Sequence, residues 1–409
     1  MTSPEYSSHF SIANIPFGVA SSKNHPQPQC VTRLENTVIF LSVLQRAGAF
    51  SQISSLPQGV FDKPSLNDYA ALEKSTLREV RKVLEVVLTE ALPADSTEEI
   101  GAVTLHLPVT IGGFTDFSCS LNHMKNGRRA ILGDDTPPPG FFHFPIAYNG
   151  RASTIFPSGT PITRPHGHFY DRTVSSEQKP VIYAPSRTMD WELEMGVIIG
   201  KGVPQLQGLN AKDADEHIFG MVILNDWSSR DIQGLEMVPL GPLNSKAFGT
   251  SISPWVITLE ALQSFKVPGT KHEIPIASHL EDETESCYAI NLQVEWIVDG
   301  KATVVSQSKA QDLHWNGRQM CAHLASTGAD LRTGDILGTG TVSGMTDGSL
   351  GCLLEITKAG TEPVALSDGS ERRFLQDGDV VRMTGVVGEP GSGVGFGECV
   401  GELLPARRV

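Results

Sequence analysis

Two spacings of apolar residues run along this chain, and they predict a few helices set among many strands. Leu72, Val80, Val83, Leu84, Val87 and Leu88 recur three and four residues apart, which gives one apolar face to a helix over 67–92. Pro64 precedes it, Ser65 with Asp68 offers an N-cap signal, and Pro93 stops it. A second, shorter helix is predicted over 316–327. Elsewhere the apolar residues come in short runs bounded by Gly, Pro, Asn and Asp, as strands joined by turns do. Strands are expected at 181–184, 192–199, 219–224, 254–259, 290–297, 302–305, 336–338, 352–356 and 380–383. The proline-rich stretch 133–140 reads as a surface loop. Irregular sequence near 93–105 predicts a boundary between a small N-terminal domain, 1–104, and a larger body, 105–409.

Composition narrows the class. A chain of 409 residues, 40% hydrophobic and 19% charged, can build one large core and a smaller domain. Forty glycines and twenty-six prolines favour a β-rich, loop-rich architecture. The net charge of -14 argues against nucleic acid or an anionic membrane surface as partner. No apolar run approaches the length of a membrane span. The six cysteines are scattered without a C-x-x-C pair, so neither a zinc site, a redox dithiol nor a disulfide framework is expected. With no basic region and apolar core at the N-terminus, a cytoplasmic location is expected. A Walker A loop and a G-x-S-x-G elbow are both missing.

What remains is acidic chemistry. Glu192 and Glu194 stand two residues apart just before Val197, Ile198 and Ile199. On a strand they share a face and repel unless a cation lies between them. Asp226 ends the apolar run 220–226, and Asp116 lies upstream. A hard divalent ion, Mg²⁺ or Ca²⁺, takes oxygen ligands of this kind. The plain alternative is that E-x-E marks the wet face of a half-exposed strand. His123 by itself reads as a structural histidine and Lys246 as a solvated one-charge tip. Arg230 and Asp231 could form a structural ion pair, and His166 with His168 reads as part of a surface loop.

Longer strings carry more information. They include FSIANIPFGV at 10–19, TDF at 115–117 with His123 seven residues after Asp116, YNGRAS at 148–153 and MDWELEM at 189–195. HIFGMVILNDWSSRDIQ at 217–233, VPLGP at 238–242, KAFGTSISPW at 246–255, GTVSG at 340–344 and LLE at 353–355 follow. Together they resemble the fumarylacetoacetase (fumarylacetoacetate hydrolase) family, in order and with nearly unchanged spacing from about residue 10 to 405. The resemblance implies a mainly β fold with some α, a small SH3-like N-terminal barrel followed by a large mixed β-sandwich roll, assembled as a homodimer. It implies that Asp116, Glu192, Glu194 and Asp226 hold the metal, with Lys246, Gly249 and Thr250 around it. His123 matches the general base and Glu355 the carboxylate that orients it, while Arg230, Gln233 and Lys246 match the groups that stabilise an oxyanion. Tyr148 and Thr341 match positions around the substrate.

Three substrate positions depart from the family pattern. A tyrosine two residues after the metal aspartate is here Ser118. An arginine nine residues after the base, which grips a substrate carboxylate, is here Leu132, unless Arg128 or Arg129 reaches in. A tyrosine four residues after the glutamine is here Met237. Losing a bidentate carboxylate clamp disfavours a small dicarboxylate. The expected reaction is metal-dependent hydrolysis of a carbon–carbon bond in a larger or less charged β-diketone or oxo-acid, of polyketide or terpenoid origin. Decarboxylation, isomerisation, tautomerisation or carbon rearrangement through the same metal enolate is the rival, and a non-catalytic metal-stabilised scaffold the third reading.

Overall fold

The apolar runs around Val197 and Val222 lack alternation because both faces of their strands are buried. In the computed structural model, which describes residues 4–175 and 177–408, they become the antiparallel neighbours Leu193–Ile199 and Ile218–Asp226. These sit in the middle of an eight-stranded mixed sheet. Its order is Ala147–Asn149, Phe114–Phe117, Ile336–Gly338, Leu193–Ile199, Ile218–Asp226, Thr250–Ile252 and Ile155–Pro157, with Ile257–Thr258 also on Ile218–Asp226.

Alternate side chains of this sheet feed two cores. Ile198, Val222, Leu224 and Ile336 pack with Phe17, Tyr69 and Val80 of the N-terminal domain. Val197, Ile199, Met221 and Ile223 pack with Leu292, Val294, Trp296 and Met383 of a second, five-stranded sheet. The N-terminal domain itself carries a five-stranded antiparallel sheet running from Thr97–Glu99 to Val103–Leu105. The fold is thus mainly β, with a small N-terminal domain and a larger β body. Among the described residues no helix is long and apolar enough to cross a membrane. All six cysteines are free and buried.

Three element readings are corrected. The helix over 67–92 is two pieces, Asn67–Ala70 and Lys74–Val87. Glu73 between them takes an extended backbone, ψ 143°, which no helix continues. The break lets the buried Lys74 ammonium donate to the Ile218 carbonyl at 2.6 Å. The second piece ends well before Pro93, where the Thr89 hydroxyl takes the Val86 carbonyl at 2.7 Å. Residues 352–356 are not a strand; Leu353–Ile356 is a short helix. The strand expected at 254–259 shrinks to Ile257–Thr258 because Leu259 opens a helix. The helix expected at 316–327 is present as Gly317–Ala325, with Asn316 and Gln319 forming a capping box.

Candidate active site

Strand register gathers the four acidic residues at one end of the central sheet. Asp116 lies beside Gly338 in parallel pairing, and Asp226 beside Thr250. Asp226 N–H donates to the Glu192 carbonyl at 3.2 Å, so Glu192 and Glu194 flank the end of the neighbouring strand. One oxygen from each of Asp116, Glu192, Glu194 and Asp226 lies within 4.8 Å of the others, and all four residues are buried. Gly338 leaves the room: a Cβ there would fall 2.8 Å from Asp116 Oδ1 and 2.9 Å from Glu194 Oε2.

Several donors serve these carboxylates. Lys246 Nζ donates to Asp226 Oδ2 at 2.6 Å and to Glu192 Oε2. Thr250 Oγ1 donates to Asp226 Oδ1 and the Tyr148 hydroxyl to Asp226 Oδ2, both at 2.9 Å. Gly340 N–H donates to Glu194 Oε2 at 3.0 Å. Asp116 Oδ1 and Glu194 Oε1 stay buried with no donor. Burial and then Asp226 push the Asp116 carboxyl up to about 8, and burial, then Asp116, lifts Glu194 well above the carboxylate range. Burial also opposes ionisation of Glu192, yet Lys246 and Arg230 hold its carboxyl down at about 2.

Two donorless buried oxygens in a cage of four carboxylates fit a hard divalent cation. Lys246, grouped above with the metal shell, sits there as a cation; an ammonium has donors and no lone pair to give. Gly249 is packed against Ile162, where a Cβ would meet Cδ1 at 2.9 Å, and stands beside the cluster.

A second unit adjoins this one. Ser120 Oγ caps the helix Leu121–Leu132 by accepting His123 N–H at 3.1 Å. His123 Nδ1–H then donates to Glu355 Oε2 at 2.8 Å, across a sequence separation of 232 residues. Glu355 also accepts from Ser343 Oγ at 2.7 Å, Asn126 Nδ2 at 3.0 Å and Cys352 Sγ at 3.3 Å. Asn126 lies three residues past His123, so one face of the helix grips Glu355 twice. Burial works against the imidazolium, but Glu355 raises the His123 pKa above its ordinary value. Burial likewise opposes the Glu355 anion, and His123 brings its pKa below the usual glutamate value. With Nδ1 engaged, Nε2 is the atom left to take a proton.

Asp190 ties the two units together. Its carboxylate accepts Leu353 N–H at 2.6 Å and Leu354 N–H at 2.9 Å, which fixes the first turn of the Glu355 helix. It also accepts Arg230 Nε at 2.7 Å. Arg230 Nη1 reaches Glu192 Oε1 at 2.8 Å and Gln233 Oε1 at 3.0 Å, while Nη2 is buried without an acceptor. The Arg230–Asp231 pair is therefore corrected, since Asp231 takes Ser186 Oγ and Arg187 N–H instead. Asp190→Ala should lower stability by about 1–3 kcal/mol for each buried donor it orphans, because Arg230 Nε and the Leu353 and Leu354 N–H groups lose their acceptor while Glu192 still balances the guanidinium charge. Urea unfolding measures this, and a loss no larger than that of a surface substitution would contradict it.

Among the remaining expected positions, Tyr148 joins the cluster. Thr341, buried with Oγ1 unpartnered, follows Gly340, and Ser118 packs on Gly340, whose Cβ would lie 2.9 Å from Ser118 Cα. Leu132 and Met237 are not drawn in; they are 62% and 46% exposed. Arg128 and Arg129 do not reach in either, being paired with Asp134 at 2.6 Å and Asp135 at 2.5 Å. His166 and His168 lie on a strand, His166–Tyr170, paired with Val181–Pro185, rather than in a loop. Asp190, Asn126, Ser343 and Cys352 were not singled out from sequence. Asn126 had a usable signal in its helical spacing from His123, and Asp190 lies inside the MDWELEM string.

Comparison with known proteins matches residues 113–403 to the family model described as fumarylacetoacetate (FAA) hydrolase C-terminal, and 13–108 to fumarylacetoacetase N-terminal. The chain is 39% identical to a fumarylacetoacetase of Aspergillus fumigatus over 421 residues, covering 98% of this chain and 97% of that protein. It is 37% identical to the Homo sapiens fumarylacetoacetase, covering 98% and 97%. A solved fumarylacetoacetate hydrolase from psychrophilic Exiguobacterium antarcticum shares the fold at TM-score 0.52 and 15% identity, over 96% of this chain and 100% of that one.

Proposed function

This chain belongs to the fumarylacetoacetase family, and we propose that it hydrolyses a carbon–carbon bond in a β-diketone or acylpyruvate-type acid with the help of a Mg²⁺ or Ca²⁺ ion. The observation that carries this is a His–carboxylate pair, His123 and Glu355, set against a cage of four buried carboxylates. Asp116, Glu192, Glu194 and Asp226 would hold the ion, which when bound supplies a Lewis acid for the diketone oxygens and the departing enolate.

The chain's own groups account for the rest. His123 Nε2 takes a proton from water as its oxygen adds to the carbonyl carbon, and Glu355 stabilises the imidazolium. Arg230 Nη2, Gln233 and Lys246 donate toward the oxyanion. The carbon–carbon bond then breaks, the carbanion fragment gains a proton, and one acid and one ketone leave. Tyr148, Thr341 and Ser118 line the substrate side.

Leu132 and Met237 replace polar substrate contacts, and Arg128 and Arg129 are held by aspartates. This supports a larger or less charged substrate than fumarylacetoacetate, and a role in secondary metabolism. Residues 1–104 form the supporting domain and 105–409 the catalytic one, in a cytoplasmic homodimer.

The test is to incubate the purified chain with acylpyruvates and cyclic β-diketones, with and without chelator, and weigh the products. Two fragments that together gain one water are expected. Loss of CO₂ or an unchanged mass would replace hydrolysis by decarboxylation or isomerisation.

A further inference from the structure

Between Gln233 and Lys246 the chain makes an excursion with its apolar side chains in solvent: Val238 is 82% exposed, Leu240 94% and Leu243 64%. Little packing holds such a loop in place. Its ends are joined by Glu236, the last residue of the helix Arg230–Glu236. Glu236 Oε1 accepts Leu243 N–H at 2.7 Å and Ser245 N–H at 2.8 Å, and Oε2 accepts Asn244 N–H at 3.1 Å. These are the free amides of a helical turn, which Lys246 and Ala247 close by donating N–H to the Leu243 carbonyl at 3.2 and 2.8 Å. A carboxylate on amides makes charge-assisted bonds, stronger than neutral ones. The residue that follows these three amides is Lys246, whose ammonium rests on Asp226 and Glu192. Arg230 opens Glu236's helix and Gln233 stands midway along it.

We propose that Glu236 is a positioning residue that locks the turn bearing Lys246 to the helix bearing Arg230 and Gln233. Three donors carried on two segments then keep one geometry, although the loop between them is loosely held. The inference rests on the hydrolase reading for what those donors do. A glutamate that merely stabilised the loop would affect melting and leave the kinetics of the folded molecules alone.

A double-mutant cycle with Lys246→Ala separates the two cases. The full chain is assayed for kcat and KM on the best-cleaved acylpyruvate, and for Ca²⁺ affinity by calorimetry. Glu236→Ala should lower kcat by about 10²-fold, the cost of losing one oxyanion donor, with KM little changed. Glu236→Gln should recover most of this, because one amide oxygen can keep the Leu243 and Ser245 bonds; it also serves if the alanine variant does not fold. The double variant should be no slower than Lys246→Ala. Both single variants should bind Ca²⁺ more tightly, since an ammonium beside the ion is removed or displaced, and the double variant no more tightly than Lys246→Ala. An unchanged kcat per folded molecule, or losses that add in full to those of Lys246→Ala, would overturn the proposal. If the parent chain cleaves no diketone, the hydrolase reading fails while the Ca²⁺ cycle still decides this one.

Discussion

A His123→Ala variant of this chain should lose carbon–carbon hydrolysis by about 10²–10⁴-fold and still bind its divalent ion. The imidazole is held at Nδ1 by Glu355, which in turn is held by Ser343 and Asn126, so only Nε2 is presented for proton transfer. None of the four caged carboxylates depends on that ring for a hydrogen bond, so Ca²⁺ titration of the variant should match the parent. The pH profile adds a second arm. His123 must be neutral to act as base, so kcat/KM rises with pH, and Glu355 places the midpoint above the ordinary histidine value of 6.5 despite burial. In Glu355→Gln the nearest countercharge is gone, leaving burial and Arg230 to lower the pKa against the weaker pull of Glu192, so the midpoint should fall. Turnover of His123→Ala close to the parent rate would remove the proton-transfer role. If the variant lost hydrolysis but still exchanged the substrate's central C–H with deuterium, enolisation and cleavage would be separate steps.

Removing the divalent ion should abolish turnover and lower the melting temperature, most of all at alkaline pH. In the metal-free chain the Asp116 carboxyl is raised from 3.8 to about 8, by burial and then by Asp226. A carboxyl whose folded pKa lies above its unfolded one favours the folded state in full only below the unfolded value. That contribution is lost as pH climbs from 3.8 to about 8. The metal-free melting temperature should therefore fall across this window. Mg²⁺ or Ca²⁺ should restore it by an amount set by mass action, about 2.7 kcal/mol at a hundred times the dissociation constant. Thermal unfolding across that range, with and without chelator, measures both effects. A melting temperature indifferent to chelator and to added ion would show that the cage holds no metal.

Much of the site was legible because strand geometry is covalent in origin. Residues two apart on a strand share a face, so Glu192 and Glu194 had to project together, and a carboxylate ending an apolar run, as Asp226 does, had to stand at a sheet margin. The short apolar runs bounded by turn residues likewise announced strands. The pairing of His123 with Glu355 came from resemblance alone, since 232 residues separate them. Reading 352–356 as a strand failed because two amides of that stretch are capped by Asp190, 163 and 164 residues away. The single helix over 67–92 failed because Glu73 takes an extended backbone, and Lys74 beyond that break reaches the Ile218 carbonyl.

Side-chain type and local spacing, written residue by residue, marked the carboxylates that could be ligands and the apolar positions of the core, while His123 was marked as the base only through family resemblance. The partners were set by the packed three-dimensional chain. It gave Arg230 to Asp190 and Glu192 rather than to Asp231, Arg128 and Arg129 to aspartates of the next loop, and the Lys246 turn to Glu236. A buried charge takes whichever counter-charge the packed chain brings within hydrogen-bonding reach, and that depends on the approach of segments that no local pattern relates.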